Sequence, residues 1–108
     1  MGSGKYRDRI EIQQQAVSTD VAGQRVLTWT TYDEVWANVL LPNGKEMIAS
    51  DRENSIVSGS MRIRFRKDIT AGMRVLWSDM IFGIKAVLPD TDKREHIDLV
   101  VETGANDG

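Results

Sequence analysis

The sequence predicts an all-β domain, a small antiparallel β-barrel of about six or seven strands with a long loop or short helix inserted between the second and third strand segments. Residues 60–103 hold four segments whose apolar residues recur at a period near two, with no amphipathic helical stripe. Short polar turns separate them: KDITAG at 67–72, Ser78-Asp79, and PDTDKRE at 89–95. A chain of 108 residues makes one domain with a modest core, and a flat sheet of so many strands would leave long edges open to pairing, so closure is expected.

The first strand lies within residues 7–16, with Ile10 and Ile12 on one face and Arg9, Glu11 and Gln13 on the other. STDVAG at 18–23 is turn chemistry, Gly23 being free to take a positive φ, so a hairpin should follow. Residues 25–41 are the longest β-prone stretch. Val35, Ala37 and Val39 share one face and Trp36, Asn38 and Leu40 the other, neither cleanly polar; Asp33 and Glu34 mark a candidate bulge dividing the run. Pro42-Asn43-Gly44 ends the strand. The following segment, residues 45–54, has good helix formers but too few apolar residues for a long buried face, and is read as a short helix or mobile loop.

In the strand at 56–66, Met61, Ile63 and Phe65 alternate with Arg62, Arg64 and Arg66. Strands at 73–77 and 80–88 follow, the second with Phe82, Ile84, Ala86 and Leu88 on one side and Gly83 suggesting a bend or close packing. The last, at 96–101, points Ile97, Leu99 and Val101 inward. One domain over residues 1–108 is expected, with flexible ends at 1–4 and 104–108.

Composition excludes several functions. Fourteen Lys and Arg against sixteen Asp and Glu leave a formal charge of −2, which argues against a protein built mainly to grip nucleic acid or an anionic membrane. The absence of cysteine removes disulfides, thiolate nucleophiles and Cys-based zinc sites. No apolar run is long enough to span a bilayer, and no signal-peptide stretch opens the chain, so a cytoplasmic origin is the simpler expectation.

Catalytic chemistry finds no foothold. The single histidine, His96, has no nucleophile motif to serve and is expected to be an exposed strand residue. Asp90-Thr91-Asp92 starts like a calcium loop, but Arg94, Glu95 and Val101 stand where a ligand, a glycine and a bidentate glutamate are needed. The glycines form no nucleotide-binding pattern, so no cofactor is expected.

Two features point to interaction. Arg62, Arg64 and Arg66 could track phosphates, pair with acids of a neighbouring subunit, or pair within the sheet with Asp98 and Glu102. Among the tryptophans, Trp77 lies on the face of Met73 and Val75 and should fill the core. Trp36 suits a core or an interface equally. Trp36, Arg62, Arg64 and Arg66 are therefore candidate subunit-interface residues. Gly44, Lys45, Glu46, Met47, Ile48, Asp51, Arg52 and Glu53 form a candidate loop that orders on assembly.

The spacing of R-I-x-I-Q at Arg9 to Gln13, D-x-x-G at Asp20 to Gly23, V-W-A at Val35 to Ala37, G-x-E at Gly44 to Glu46, I-R-F-R-x-x-I-T at Ile63 to Thr70 and F-x-I-x-x-V at Phe82 to Val87 resembles the head–tail joining proteins of long-tailed bacteriophages and prophages. The resemblance covers nearly the whole chain, and its motifs are specific in their order rather than singly. One departure is Ser78-Asp79, which makes a tight turn where the family often has glycine. The resemblance implies a β-barrel in the virion's head–tail connector, assembled in the bacterial cytoplasm. There the protein would form a ring beneath the portal and its adaptor, close the DNA-filled head and present a surface for the tail. It implies no enzymatic step and no specific DNA binding. A different expectation is a small barrel that binds single-stranded nucleic acid through the arginine face and a stacking tryptophan.

Overall fold

The computed structural model describes residues 6–41 and 57–103, and six strands account for most of them: β1 (Asp8–Thr19), β2 (Arg25–Leu40), β3 (Ser58–Arg64), β4 (Arg74–Trp77), β5 (Met80–Pro89) and β6 (His96–Thr103). They form a closed antiparallel barrel in the order β1-β2-β3-β6-β5-β4, with β4 returning to β1. The expected all-β barrel is therefore the fold. The proposed helix or loop at 45–54 lies outside the described residues.

Alternation builds the interior. Ile10 and Ile12 of β1, Ala37 of β2, Met61 and Ile63 of β3, Val75 of β4, Phe82 and Ile84 of β5, and Ile97, Leu99 and Val101 of β6 are buried together, joined by Ile69 from the β3–β4 connection. Trp77, Phe65, Val35 and Val39 pack half-buried against this cluster, as their alternation predicts.

Two bulges change the pattern. Ile12 pairs with Asp33 but Gln13 with Thr31, leaving Tyr32 as the extra residue; the bulge falls one position before the expected Asp33-Glu34, and β2 stays continuous. Ile84 pairs with Val101 and Ala86 with Val100, so Lys85 is extra in β5. This reverses the face of everything after it: Val87 packs on the core, whereas Leu88, expected inside, is 54% exposed.

The turns are chemically specified. At the β1–β2 turn the Asp20 Oδ1 accepts from the amides of Ala22 and Gln24, both at 2.9 Å, and Gly23 sits at φ +86°. Asp90 closes the β5–β6 turn by accepting from the amides of Asp92, Lys93 and Glu95. This explains why its carboxyl is held below the usual range and why a calcium-loop reading fails.

The β4–β5 hairpin turns through Ser78 and Asp79, both with positive φ, +53° and +62°. Two consecutive positive φ values are the signature of a type I′ turn, for which Asn-Gly is the preferred pair. Replacing Ser78-Asp79 by Asn-Gly should raise stability by about 0.5–1 kcal/mol, read as a higher thermal midpoint. An unchanged or lower midpoint would show that these side chains stabilise the turn in some other way.

Candidate functional site

The arginine row of β3 resolves into three different environments. Arg62 pairs with Asp98 across the β3–β6 ladder through two hydrogen bonds, Nε to Oδ1 at 2.7 Å and Nη2 to Oδ2 at 3.1 Å. This is the in-sheet pairing the sequence allowed for Asp98; Glu102 instead lies 4.0 Å from Lys85. The guanidinium lowers the Asp98 carboxyl, while partial burial opposes it.

Arg66, just past the end of β3, is held twice. Its Nε and Nη2 donate to the two oxygens of Asp68 at 2.6 and 2.7 Å, and its Nη1 donates to Asp33 at 2.8 Å. The Tyr32 hydroxyl donates to Asp68 at 2.7 Å. The bulge residue Tyr32 and its neighbour Asp33 are thus tied to the β3–β4 connection. Asp68 is driven well below the carboxylate range, chiefly by Arg66 and then by Tyr32; Asp33 is lowered chiefly by Arg66, and the Tyr32 phenol is raised by its bond to Asp68.

Arg64 differs: it makes no ion pair among the described residues, and its guanidinium lies 5.8 Å from the centre of the Tyr6 ring. Beside it opens a cleft of about 560 Å³ lined by Trp36, Val35, Phe65, Arg64, Glu34 and Asp68, among others. Trp36 is on the outer surface, 51% exposed, with the Arg9 guanidinium 5.2 Å from its ring centre. Arg9 also lies 3.8 Å from Glu34. Trp36, Arg64 and Arg66 therefore line one accessible cleft, in which Arg66 is engaged by Asp68 and Asp33, while Arg62 lies outside it and is engaged by Asp98. The loop candidates Gly44, Lys45, Glu46, Met47, Ile48, Asp51, Arg52 and Glu53 lie outside the described residues.

His96 is half-buried rather than exposed, with Nδ1 3.7 Å from Asp90 Oδ2, because its start-of-strand position turns it back toward the Asp90 turn. Among the described residues, no group of three or more His, Asp and Glu could hold a metal ion. No helix among them is long and apolar enough to cross a membrane. A row with two of three arginines neutralised by carboxylates leaves little positive charge for a phosphate backbone, which weakens the nucleic-acid reading.

The sequence profile of the phage head completion protein family matches residues 1–104. The chain belongs to that family. It is 31% identical to the head completion protein gp7 of Enterobacteria phage HK97 over 75 residues, which is 69% of this chain and 67% of gp7. The solution structure of protein SF1141 from Shigella flexneri 2a superimposes with a TM-score of 0.71 at 32% identity, covering 98% of this chain and 99% of that one. A chain from the virion of a native gene transfer agent particle shares the fold, with a TM-score of 0.61 at 19% identity over 88% of this chain and 91% of its own. As a head completion protein, the chain is a structural component of a phage-type virion.

The network around Arg66 gives this head completion protein a definite acid response. A carboxylate depressed in the folded state contributes its full stabilisation above its unfolded value, near pH 4, and loses it as pH falls through the folded value. Asp68, Asp33, Asp98 and Asp90 are all depressed, so stability should hold from neutrality to about pH 4.5 and decline below that. Thermal melts from pH 7 to pH 2 should show the decline, and Asp68→Asn should make it shallower. An identical acid slope in the variant would remove Asp68 from the account.

Proposed function

We propose that this head completion protein forms a ring beneath the portal and its adaptor, closes the filled head and offers the surface to which the tail attaches. The observation that supports this reading most strongly is the family match along nearly the whole chain, residues 1–104. The structure agrees with it in a physical way. A closed barrel keeps its frame rigid, while the described surface carries an exposed tryptophan cleft and large exposed apolar residues, features expected of a subunit that works in contact with neighbours. The near-balanced charge suits a channel that DNA must cross without being held.

The test is direct. Purified protein added to portal–adaptor complexes should add one ring of density below the adaptor, with the portal's symmetry, in electron micrographs. Failure to bind such complexes, or binding to free DNA that weakens steeply with salt, would overturn the reading.

A further inference from the structure

β1 and β2 are far longer than the barrel needs. β4 pairs with β1 only from Glu11 to Gln13, and β3 pairs with β2 only from Asn38 to Leu40. Beyond Gln13 the two strands pair only with each other, from Gln14↔Thr30 through Thr19↔Arg25, so residues 14–30 form a two-stranded arm standing off the barrel. At its base Arg74 of β4 stacks 4.3 Å from the centre of the Trp29 ring and donates to the Gln13 side chain at 2.8 Å. Past that anchor nothing among the described residues covers it.

The composition of the arm is unusual for something so exposed. Val17 and Leu27, paired across its outer face, are 53% and 59% exposed, and Val21 at the tip is fully exposed. Asp20 and Arg25 are its only charged residues, whereas 28% of the whole chain is charged. Depletion of charge around exposed aliphatic residues marks the centre of a protein interface, and near-neutrality argues against nucleic acid or an anionic membrane as the occupant. A two-stranded ribbon is also marginal in water unless something packs on it.

The same chain carries a complementary surface. The cleft beside Trp36 offers an exposed aromatic ring and the half-buried Phe65, and its Arg64 has no acidic partner among the described residues. The arm's one acid, Asp20, uses Oδ1 in its turn and leaves Oδ2 without a hydrogen bond among the described residues. Arm and cleft are different patches, and contact between unlike patches on identical chains is head-to-tail, the type that closes into rings.

We propose that the β1–β2 arm of one copy docks in the Trp36–Arg64 cleft of a second copy, burying Val17, Val21 and Leu27 and pairing Asp20 with Arg64. This rests on the reading of the protein as a ring subunit and adds which surfaces meet.

The chain has no cysteine, so single-cysteine variants report contacts cleanly. Leu27→Cys and Glu34→Cys proteins, mixed and assembled on portal–adaptor complexes, should be joined to each other by a short bismaleimide, and neither should be joined to itself. Rings that form without this cross-link would overturn the docking but leave the ring reading intact. Rings in which Leu27→Cys links to Leu27→Cys would replace it with arm-to-arm pairing. No ring at all would overturn both readings. Leu27→Asp should weaken assembly at least about tenfold while leaving the thermal midpoint unchanged, because the residue lies outside the core. Undiminished assembly of that folded variant would exclude the arm.

Discussion

Phe82→Ala should cost about 3–5 kcal/mol, the usual range for emptying a fully buried aromatic site. Phe82 is fully buried and heads the large side chains of the core. It sits on β5 opposite Val75 of β4 and Thr103 of β6, so it contacts both neighbouring strands, and its ring lies 6.4 Å from that of Trp77. The surrounding strands are held by a closed ring of ladders and cannot collapse into the space. With total stabilities of about 5–15 kcal/mol for such domains, this takes a large fraction of what is available. The thermal midpoint should fall by roughly 15–30 °C. The control is Leu88→Ala, six residues along the same strand, which should change stability by no more than about 0.5 kcal/mol because the Lys85 bulge has turned that residue outward. Comparable losses in the two variants would mean that β5 keeps its alternation and the bulge is misplaced.

That contrast shows where the sequence was legible. Strict alternation identified β3 and β6, because neither contains a register shift and each buries one face. The same rule failed after Ile84. Gly83, two residues earlier, suggested a bend or close packing but not which residue is inserted, and Lys85 itself is an ordinary strand residue. The Arg62–Asp98 pair was readable because cross-strand neighbours follow from register. The Arg66 network was not, since Asp33, Tyr32 and Asp68 come from a bulge and a connection whose approach is set by barrel closure. The arm was hidden for a similar reason. Its alternating Val, Leu, Thr and Gln look like an ordinary half-buried strand, and only the short reach of β3 and β4 along their partners exposes it. Trp36 was flagged because neither face of β2 around it is cleanly polar; the cleft it shares with Arg64 could be found only from the barrel.

Gly59→Ala should cost on the order of 3 kcal/mol, at the upper end of what overpacking usually does. The sequence pointed to Gly83 as marking a bend or close packing by a neighbour, and the Lys85 bulge does lie two residues on. Yet a Cβ there would find only the Glu102 carbonyl oxygen at 3.9 Å, an ordinary contact. At Gly59 a Cβ would overlap the carbonyl oxygen of Leu40 and lie 2.8 Å from Leu41 Cδ2. The Leu41 side chain can rotate away, but the Leu40 carbonyl belongs to the strand that β3 must pair with. That seam consists of just Asn38↔Arg62, Val39↔Met61 and Leu40↔Ser60, so one end of a three-pair ladder would have to open. Opening it exposes Met61, which is fully buried beside the seam, and removes the restraint that keeps β2 and β3 closed. Hydrogen exchange should therefore quicken at the β2–β3 seam in Gly59→Ala while β5 and β6 stay protected, and the melting midpoint should drop well below that of Gly83→Ala. Equal stability in the two variants would show that the backbone at Gly59 has room to yield, and that the barrel closes less tightly there than its geometry requires.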